Sequence, residues 1–399
     1  MSVKKIIAIA LATGISFAQG NAQTKNQPLM KSFSIQFPEQ EIKDLQQRIR
    51  STRWFEEATQ PGSISIGELK EIAGHWLYKY NWKAQQDWLN SFNHYRATVN
   101  NATIHFIYEK GSGPEHIPLL LLHGWAGSFV QYLRLAELIK RSNPEFDLII
   151  PSMPGFGYSA APEGPVNSAN AAASVHQLMT VVLGYKTWFV HGSDYGAFVG
   201  EQLALKYPSV LKGLHLTDIP YYHLYSANEN LTESENEFIQ KINYRSMQDG
   251  AYAGIQGTRP KILSVGLNDS PMALAAWLLQ MYQDFSDKEK SLEAKYKLDD
   301  LLTNINIYWF TGTVYSSMRI YSEEDHGFGA PVTEKVSLPT GFSFFPYDIA
   351  GDVPEVFVKR FFSNVISWSK PSTGGHFSSM EEPEEMRKEI TGFFEKAGK

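Results

Sequence analysis

The stretch FVHGSDYGAF, residues 189–198, sets two candidate nucleophiles side by side, Ser193 and Asp194. A nucleophile carried on a strand-to-helix elbow needs small residues two positions before and two positions after it, because the turn is too tight for side chains there. Around Ser193 those positions are His191 and Tyr195; around Asp194 they are Gly192 and Gly196. The frame selects Asp194. An aspartate is already ionised near neutrality, with an ordinary pKa of about 3.9, so it attacks without a base to deprotonate it. A carboxylate is a poor attacker of acyl groups, but it displaces at an alkyl carbon that bears a strained or good leaving group and leaves an ester on the protein. A histidine oriented by a second acid then activates water against that ester. Asp348, just after FSFFPY, and His376, in STGGHF, are the candidates for these roles. The turn HGWAGS, residues 123–128, can aim a backbone N–H at the elbow, giving an oxyanion hole from the N–H groups of Trp125 and Tyr195.

These residues need a scaffold that brings distant turns together. From about residue 97 the chain alternates apolar runs (TIHFIY, PLLLLHGWAGS, FDLIIPSMPGFGYS, TWFVHGSDYG, LKGLHLTDIP) with helical stretches at 129–141, 169–183 and 197–206. That alternation predicts a mostly parallel, doubly wound α/β sheet covered on both faces, with reacting groups on the turns beyond its strand ends. Asp194, Asp348 and His376 each follow an apolar strand, in the order nucleophile, acid, histidine, which is the order of α/β-hydrolases. Taken singly they have plainer roles as a helix N-cap, a turn residue and a surface histidine; three in order on one such sheet point to a site. His123 and His191 read as structural turn residues, and the remaining histidines have no metal-ligand spacing, so neither a metal nor a cofactor is expected.

Residues 222–335 lapse into helical, Tyr- and Leu-rich sequence before GFSFFPYDI and VISWSKP resume the strand pattern. This reads as a helical cap between a first core segment at 97–221 and a second at 336–399. Ahead of the core, residues 23–96 contain a strand-like FSIQF from residue 33, a helix with Ile42, Leu45 and Ile49 on one face, and a second helical stretch over 67–92. Residues 1–22 have two lysines, an apolar run from Ile6 to Ala18 and small residues before two cleavage points, after Ala18 or Ala22. They read as a secretory signal peptide, so the mature chain is expected to be exported, periplasmic or secreted, without stable membrane insertion.

At 399 residues with 43% hydrophobic content, the chain is long and apolar enough for a substantial core. Its formal charge of −6 comes from interspersed residues, which argues against nucleic acid or an anionic membrane as partner. Cysteine is absent, so stability rests on packing without disulfides.

Several separated stretches together resemble the microsomal-type epoxide hydrolases, including the insect juvenile hormone branch: FPEQEIKDLQQRIRSTRW, HGWAGS, PGFGYS, the elbow, LNDSPMALAAWLL, DDLLTNINIYWFTGTVYSSMRIY, PTGFSFFPYDI and GGHFSSMEEPE. The resemblance covers essentially the whole mature chain. It implies an α/β-hydrolase fold with a helical cap and an N-terminal region that meanders around both. It also implies hydrolysis of an epoxide to a vicinal diol, with Asp194 as nucleophile, His376 as base, Asp348 as charge-relay acid, and Tyr252 and Tyr321 as ring-opening tyrosines. An epoxide oxygen leaves as an alkoxide and needs such proton donors, whereas a halide does not. Two positions depart from the family pattern: Ala126 stands where proline is usual, which could loosen the turn that aims the Trp125 N–H, and Tyr195 stands where tryptophan is frequent. The residues also admit a haloalkane or haloacid dehalogenase with the same triad, and a binding protein that has kept the fold without activity.

Overall fold

The computed structural model describes residues 29–56, 63–225, 229–324 and 334–398. The leader read in residues 1–22 lies outside the described residues. Nine strands form one sheet: β1 (Met30–Phe33), β2 (His94–Val99), β3 (Ala102–Glu109), β4 (Ile117–Leu122), β5 (Phe146–Pro151), β6 (Trp188–Gly192), β7 (Leu211–Leu216), β8 (Thr340–Ser343) and β9 (Val365–Ser369). Their spatial order is β1-β2-β3-β5-β4-β6-β7-β8-β9. Pairs β1–β2, β2–β3 and β3–β5 are antiparallel and every later pair is parallel. The described helices that matter below are α1 (Glu39–Arg50), α2 (Ile66–Tyr78), α3 (Trp82–Leu89), α4 (Leu133–Ser142), α5 (Ser168–Gln177), α6 (Tyr195–Lys206), α7 (Glu233–Asp249), α8 (Ala251–Thr258), α9 (Pro260–Asp269), α10 (Pro271–Asp284), α11 (Leu298–Thr311), α12 (Val314–Glu323) and α13 (Pro383–Ala397).

The central strands are buried on both faces. Leu119 to Leu122 of β4 have no exposed surface, as expected for a parallel sheet covered by helices. One apolar cluster joins one side of the sheet to the cap and to α1 and α2, and a second lies on the other side beneath α4 and α13. Register decides where the chemistry falls. Leu122 pairs with Gly192, Gly192 with Leu216, and Leu216 with Phe342. Ser343 pairs with Ser369 on the next strand. The turns leaving β4, β6, β7, β8 and β9 therefore open along one edge of the sheet. Helices α7 to α12 run between β7 and β8 and cover that edge.

The amino-terminal elements differ in detail from the sequence reading. The first strand is Met30–Phe33 and stops where FSIQF was expected to continue. Beyond it, the N–H groups of Ile35 and Phe37 donate to the side chains of Asn90 and Gln86, so the chain is held by a helix end and helix surface instead of a strand neighbour. The helical stretch at 67–92 is two helices. Ser65 and Glu68 form a capping box that starts α2, and Asn81 caps α3 by accepting from the Ala84 N–H, which interrupts the run at residues 79–81. The stretch at 129–141 opens with a tight turn over Phe129–Tyr132 before α4, and the stretch at 169–183 ends in a wide helical turn over Leu178–Val182.

Among the described residues no single helix is long and apolar enough to cross a membrane. The one bent pair that passes by length and composition is α9 with α10, which meet at 119°.

Candidate active site

Asp194 sits between β6 and α6 with φ 52° and ψ −127°, a backbone conformation that a non-glycine residue adopts only when its surroundings enforce it. The flanking glycines explain how the turn closes. A Cβ on Gly192 would lie 2.3 Å from the carbonyl oxygen of Gly196, and one on Gly196 would lie 2.0 Å from that of Leu122. Neither position admits a side chain. The neighbouring Ser193 is turned into the core, where Gln131 donates to its hydroxyl at 3.1 Å and the Tyr132 hydroxyl lies at 3.1 Å. Of the two adjacent candidates, only Asp194 meets a histidine.

The Trp125 N–H donates to Asp194 Oδ1 at 2.8 Å, while Oδ2 lies 3.4 Å from His376 Nε2. One carboxylate oxygen thus occupies the position an oxyanion would take, and the other is left as the attacking atom. Tyr195 is the first residue of α6, so helix geometry leaves its N–H without an intrahelical acceptor, beside the same carboxylate. The turn that aims Trp125 is tied down by the cap: Asn304 on α11 donates to the Ala126 carbonyl at 2.8 Å and the Tyr308 hydroxyl to the Gly127 carbonyl at 2.7 Å. At the position where the family usually has proline, side chains from α11 hold the turn.

His376 follows β9, and its Nδ1 lies 2.9 Å from Asp348 Oδ1. Asp348 follows β8 and also accepts from the Ile349 N–H at 2.6 Å. Its own carbonyl is gripped by Arg245 of α7. Burial disfavours an imidazolium at His376, yet the single negative charge held by the Asp348 and Asp218 carboxyls and the hydrogen bonds to Asp194 and Asp348 outweigh it and hold the ring well above its ordinary pKa. Burial likewise opposes ionisation of Asp348, but the His376 charge and hydrogen bonds from its neighbours win and its pKa is lowered.

Tyr252 on α8 and Tyr321 on α12 reach the same place from the cap. The Tyr252 ring stacks on Trp125 with centroids 5.8 Å apart and planes at 13°, and Tyr321 meets Trp125 edge-on at 5.9 Å. The two tyrosine rings are 5.9 Å apart. Burial, then the neighbouring Tyr252 and the Asp194 charge, hold the Tyr321 phenol well above its ordinary pKa. It stays protonated and able to donate until a strongly basic oxygen forms beside it.

His123 and His191 are buried under the turns, as expected of structural residues. The His123 ring accepts from the Met153 N–H through Nε2 at 3.1 Å, and burial lowers its pKa to about 4. His191 lies with its Nδ1 3.0 Å from that of His215, and burial holds it well below the ordinary value.

Three groups were not singled out in the sequence. Asp218, at the end of LKGLHLTD, is fully buried and accepts the Asp194 N–H at 2.7 Å. Tyr221 donates to Asp218 at 3.2 Å. Asn304 anchors the oxyanion turn. Asp218 carried a usable signal, being an aspartate just after an apolar strand like the others; Tyr221 and Asn304 carried none, since their roles depend on what the fold brings opposite them. Among the described residues the one group of three side chains close enough to share a metal ion is Asp218, Asp348 and His376, whose facing atoms lie within 4.8 Å of one another. Within that group His376 Nδ1 and Asp348 Oδ1 lie 2.9 Å apart. A cleft of ≈ 490 Å³ lined by Arg245, Asp249, Tyr347 and Asp348 borders the acid loop, and neither Asp194 nor the two cap tyrosines line it.

The whole arrangement can form an ester on Asp194 and hydrolyse it. Comparison with known proteins is consistent with that chemistry. Residues 30–132 match the family model described as epoxide hydrolase N terminus, and residues 117–330 match that of the alpha/beta hydrolase fold. The chain is similar to Epoxide hydrolase 1 of Oryctolagus cuniculus, with 35% identity covering 91% of this chain and 88% of that protein. The crystal structure of juvenile hormone epoxide hydrolase from the silkworm Bombyx mori superposes with a TM-score of 0.82 at 25% identity, covering 94% of this chain and 96% of that one. The Aspergillus niger epoxide hydrolase structure superposes with a TM-score of 0.79 at 27% identity, covering 92% and 96%. With an aspartate on the elbow, two tyrosines above it and these relatives along nearly its full length, the chain belongs to the epoxide hydrolase family of the α/β-hydrolase fold.

Proposed function

We propose that this protein hydrolyses a small apolar epoxide to a vicinal diol through an ester on Asp194. The observation that carries the reading is the pair Tyr252 and Tyr321 packed against Trp125, whose N–H holds the Asp194 carboxylate. That packing supports a reading in which two phenols and one nucleophile face a single small volume.

Asp194 Oδ2 attacks one epoxide carbon and the C–O bond to that carbon breaks. The alkoxide oxygen takes a proton from one of the two tyrosines while the other remains hydrogen-bonded to it. The ester has lost the Asp194 charge, and with it part of what held a proton on His376; that proton passes to the tyrosinate and restores the phenol. The neutral imidazole then removes a proton from water, whose oxygen adds to the ester carbonyl carbon. Charge collects on Oδ1, where the Trp125 and Tyr195 N–H groups meet it. The intermediate collapses, the diol oxygen leaves with a proton from His376, Asp194 keeps one oxygen from water, and the remaining proton of that water returns from Asp194 to His376. Asp348 holds the ring with Nε2 toward the ester throughout.

Export is part of the same reading. It rests on the leader pattern in residues 1–22, and amino-terminal sequencing of the mature protein tests it: a start at Gln19 or Gln23 supports cleavage, and an intact Met1 end contradicts it.

Purified protein assayed with styrene oxide, a longer terminal epoxide and 1-bromobutane tests the reaction. Diol from an epoxide without alcohol from the bromide supports the reading; alcohol from the bromide alone turns it to dehalogenation.

A further inference from the structure

Two strands, not one, deliver a carboxyl group to the back of His376. Asp348, on the turn after β8, has Oδ1 2.9 Å from Nδ1; Asp218, on the turn after β7, has Oδ1 3.7 Å from the same nitrogen. Both side chains are buried. The far oxygen of Asp218 is fixed by the Asp194 N–H at 2.7 Å, and its near oxygen accepts from the Tyr221 hydroxyl at 3.2 Å, which itself lies 3.5 Å from Nδ1. Asp218 therefore touches both ends of the relay, the nucleophile's backbone and the histidine's ring.

Among the described residues the only cationic group paired with either carboxyl is His376. Three carboxyls, Asp194, Asp218 and Asp348, surround that one ring. Two close, buried carboxylates facing one another do not both ionise at neutrality; they share a proton, as in a dyad. With Asp348 hydrogen-bonded to the ring at the shorter distance, the shared proton resides on Asp218. Burial, and then the Asp348 charge, push Asp218 well above its ordinary value, in agreement with that assignment.

We propose that Asp218 is a positioning residue and a reserve acid for His376: it holds the Asp194 elbow through one oxygen, and takes over the Nδ1–H of His376 when Asp348 cannot carry the negative charge. The proposal rests on the reading of His376 as the base of ester hydrolysis. It makes the pair, and not Asp348 alone, the unit that orients the histidine: one negative charge held between two carboxyls.

The test compares Asp348→Asn, Asp218→Asn and the double variant, following the His376 ring titration by NMR and the hydrolysis of the Asp194 ester by quenched single turnover. The groups facing the titrating ring are Asp194, Asp218, Asp348 and Tyr221. If one charge is shared, Asp348→Asn transfers it to Asp218, and Asp218→Asn removes only a neutral carboxyl. Either single change then leaves the ring titrating close to wild type, and the double change drops it sharply. Ester hydrolysis is more sensitive to geometry than the ring titration: Asp218→Asn changes it least, Asp348→Asn slows it by about 10–100-fold because Asp218 lies farther from Nδ1, and the double variant approaches the roughly 10⁴-fold loss seen when a triad histidine has no acid. An Asp348→Asn protein that already shows the full drop in ring titration, with no further loss on adding Asp218→Asn, overturns the proposal. Equal stepwise drops from each single change also overturn it, because they mean two permanent charges. Circular dichroism confirms folding, and intact mass shows whether an epoxide alkylates a His376→Gln protein, in which the ester is not cleared. Absence of any alkyl-enzyme refutes the proposed reaction, while the ring titration still decides the role of Asp218.

Discussion

The sheet edge and the cap contribute to one site under opposite physical constraints. At the edge, Asp194 is held at positive φ between two glycines that nothing larger can replace, and its hydrogen-bond partners come from the turns of neighbouring strands in register. In the cap, Tyr252 and Tyr321 sit on ordinary helices, of which α8 also carries the exposed Ile255, and they reach the site only because α8 and α12 lean over Trp125. The edge is rigid because of local geometry that its sequence must respect; the cap is positioned by packing over long separations. In the proposed reaction the core edge carries formation and hydrolysis of the ester, and the cap carries the choice of leaving group.

That division can be broken experimentally. The largest effect is expected at the edge. His376→Gln removes the base for ester hydrolysis without touching the attack by Asp194, so an epoxide should open once and the protein should stall as an alkyl-enzyme visible by intact mass, with turnover reduced by about 10²–10⁴-fold. Near wild-type turnover would mean that another residue is the base. The cap comes next. Tyr252→Phe or Tyr321→Phe alone should slow alkylation of Asp194 moderately, because the remaining phenol can still donate. The double change should raise the barrier by about 2–4 kcal/mol, comparable to loss of an oxyanion-hole donor. Pre-steady-state alkylation measures this, with circular dichroism as the folding control. A folded double variant that alkylates at the wild-type rate would sever the cap from the chemistry. The smallest effect is at the contact between the two regions. Asn304→Leu leaves the buried Ala126 carbonyl only the Tyr282 hydroxyl at 3.5 Å, which should cost about 1–3 kcal/mol of stability in thermal unfolding and slow turnover far less than either change above. Unchanged stability would show that the oxyanion turn holds its shape without α11.

The same contrast governs how much could be read from the sequence. The elbow was legible because sterics leave a mark: Gly192 and Gly196 frame Asp194, and no other frame fits. Asp348 and His376 were legible because strands of a parallel sheet end together, so a polar residue after each apolar run is a candidate. Asp218 had that same mark, after β7, but a triad is complete without it; its position behind the ring becomes visible only when β7 and β8 deliver two carboxyls to one ring. Tyr252 and Tyr321 could not be chosen from 20 tyrosines by spacing, since they are on separate helices and converge only through the tertiary fold; family resemblance singled them out. Asn304 and Tyr308 left no mark either, because what they bond is a pair of backbone carbonyls on a distant turn. At the amino terminus, strand alternation continued past Phe33, but Asn90 and Gln86 supplied the hydrogen bonds and ended the strand early.

The central claim is that Asp194 itself provides the attacking oxygen. A single turnover with enzyme in excess over epoxide in ¹⁸O-water tests it most directly. The account predicts a first diol whose new hydroxyl carries unlabelled oxygen from Asp194, with the label found in the Asp194 carboxylate of the recovered enzyme. Label in that first diol and none in the enzyme would mean direct attack by water, and would contradict the account.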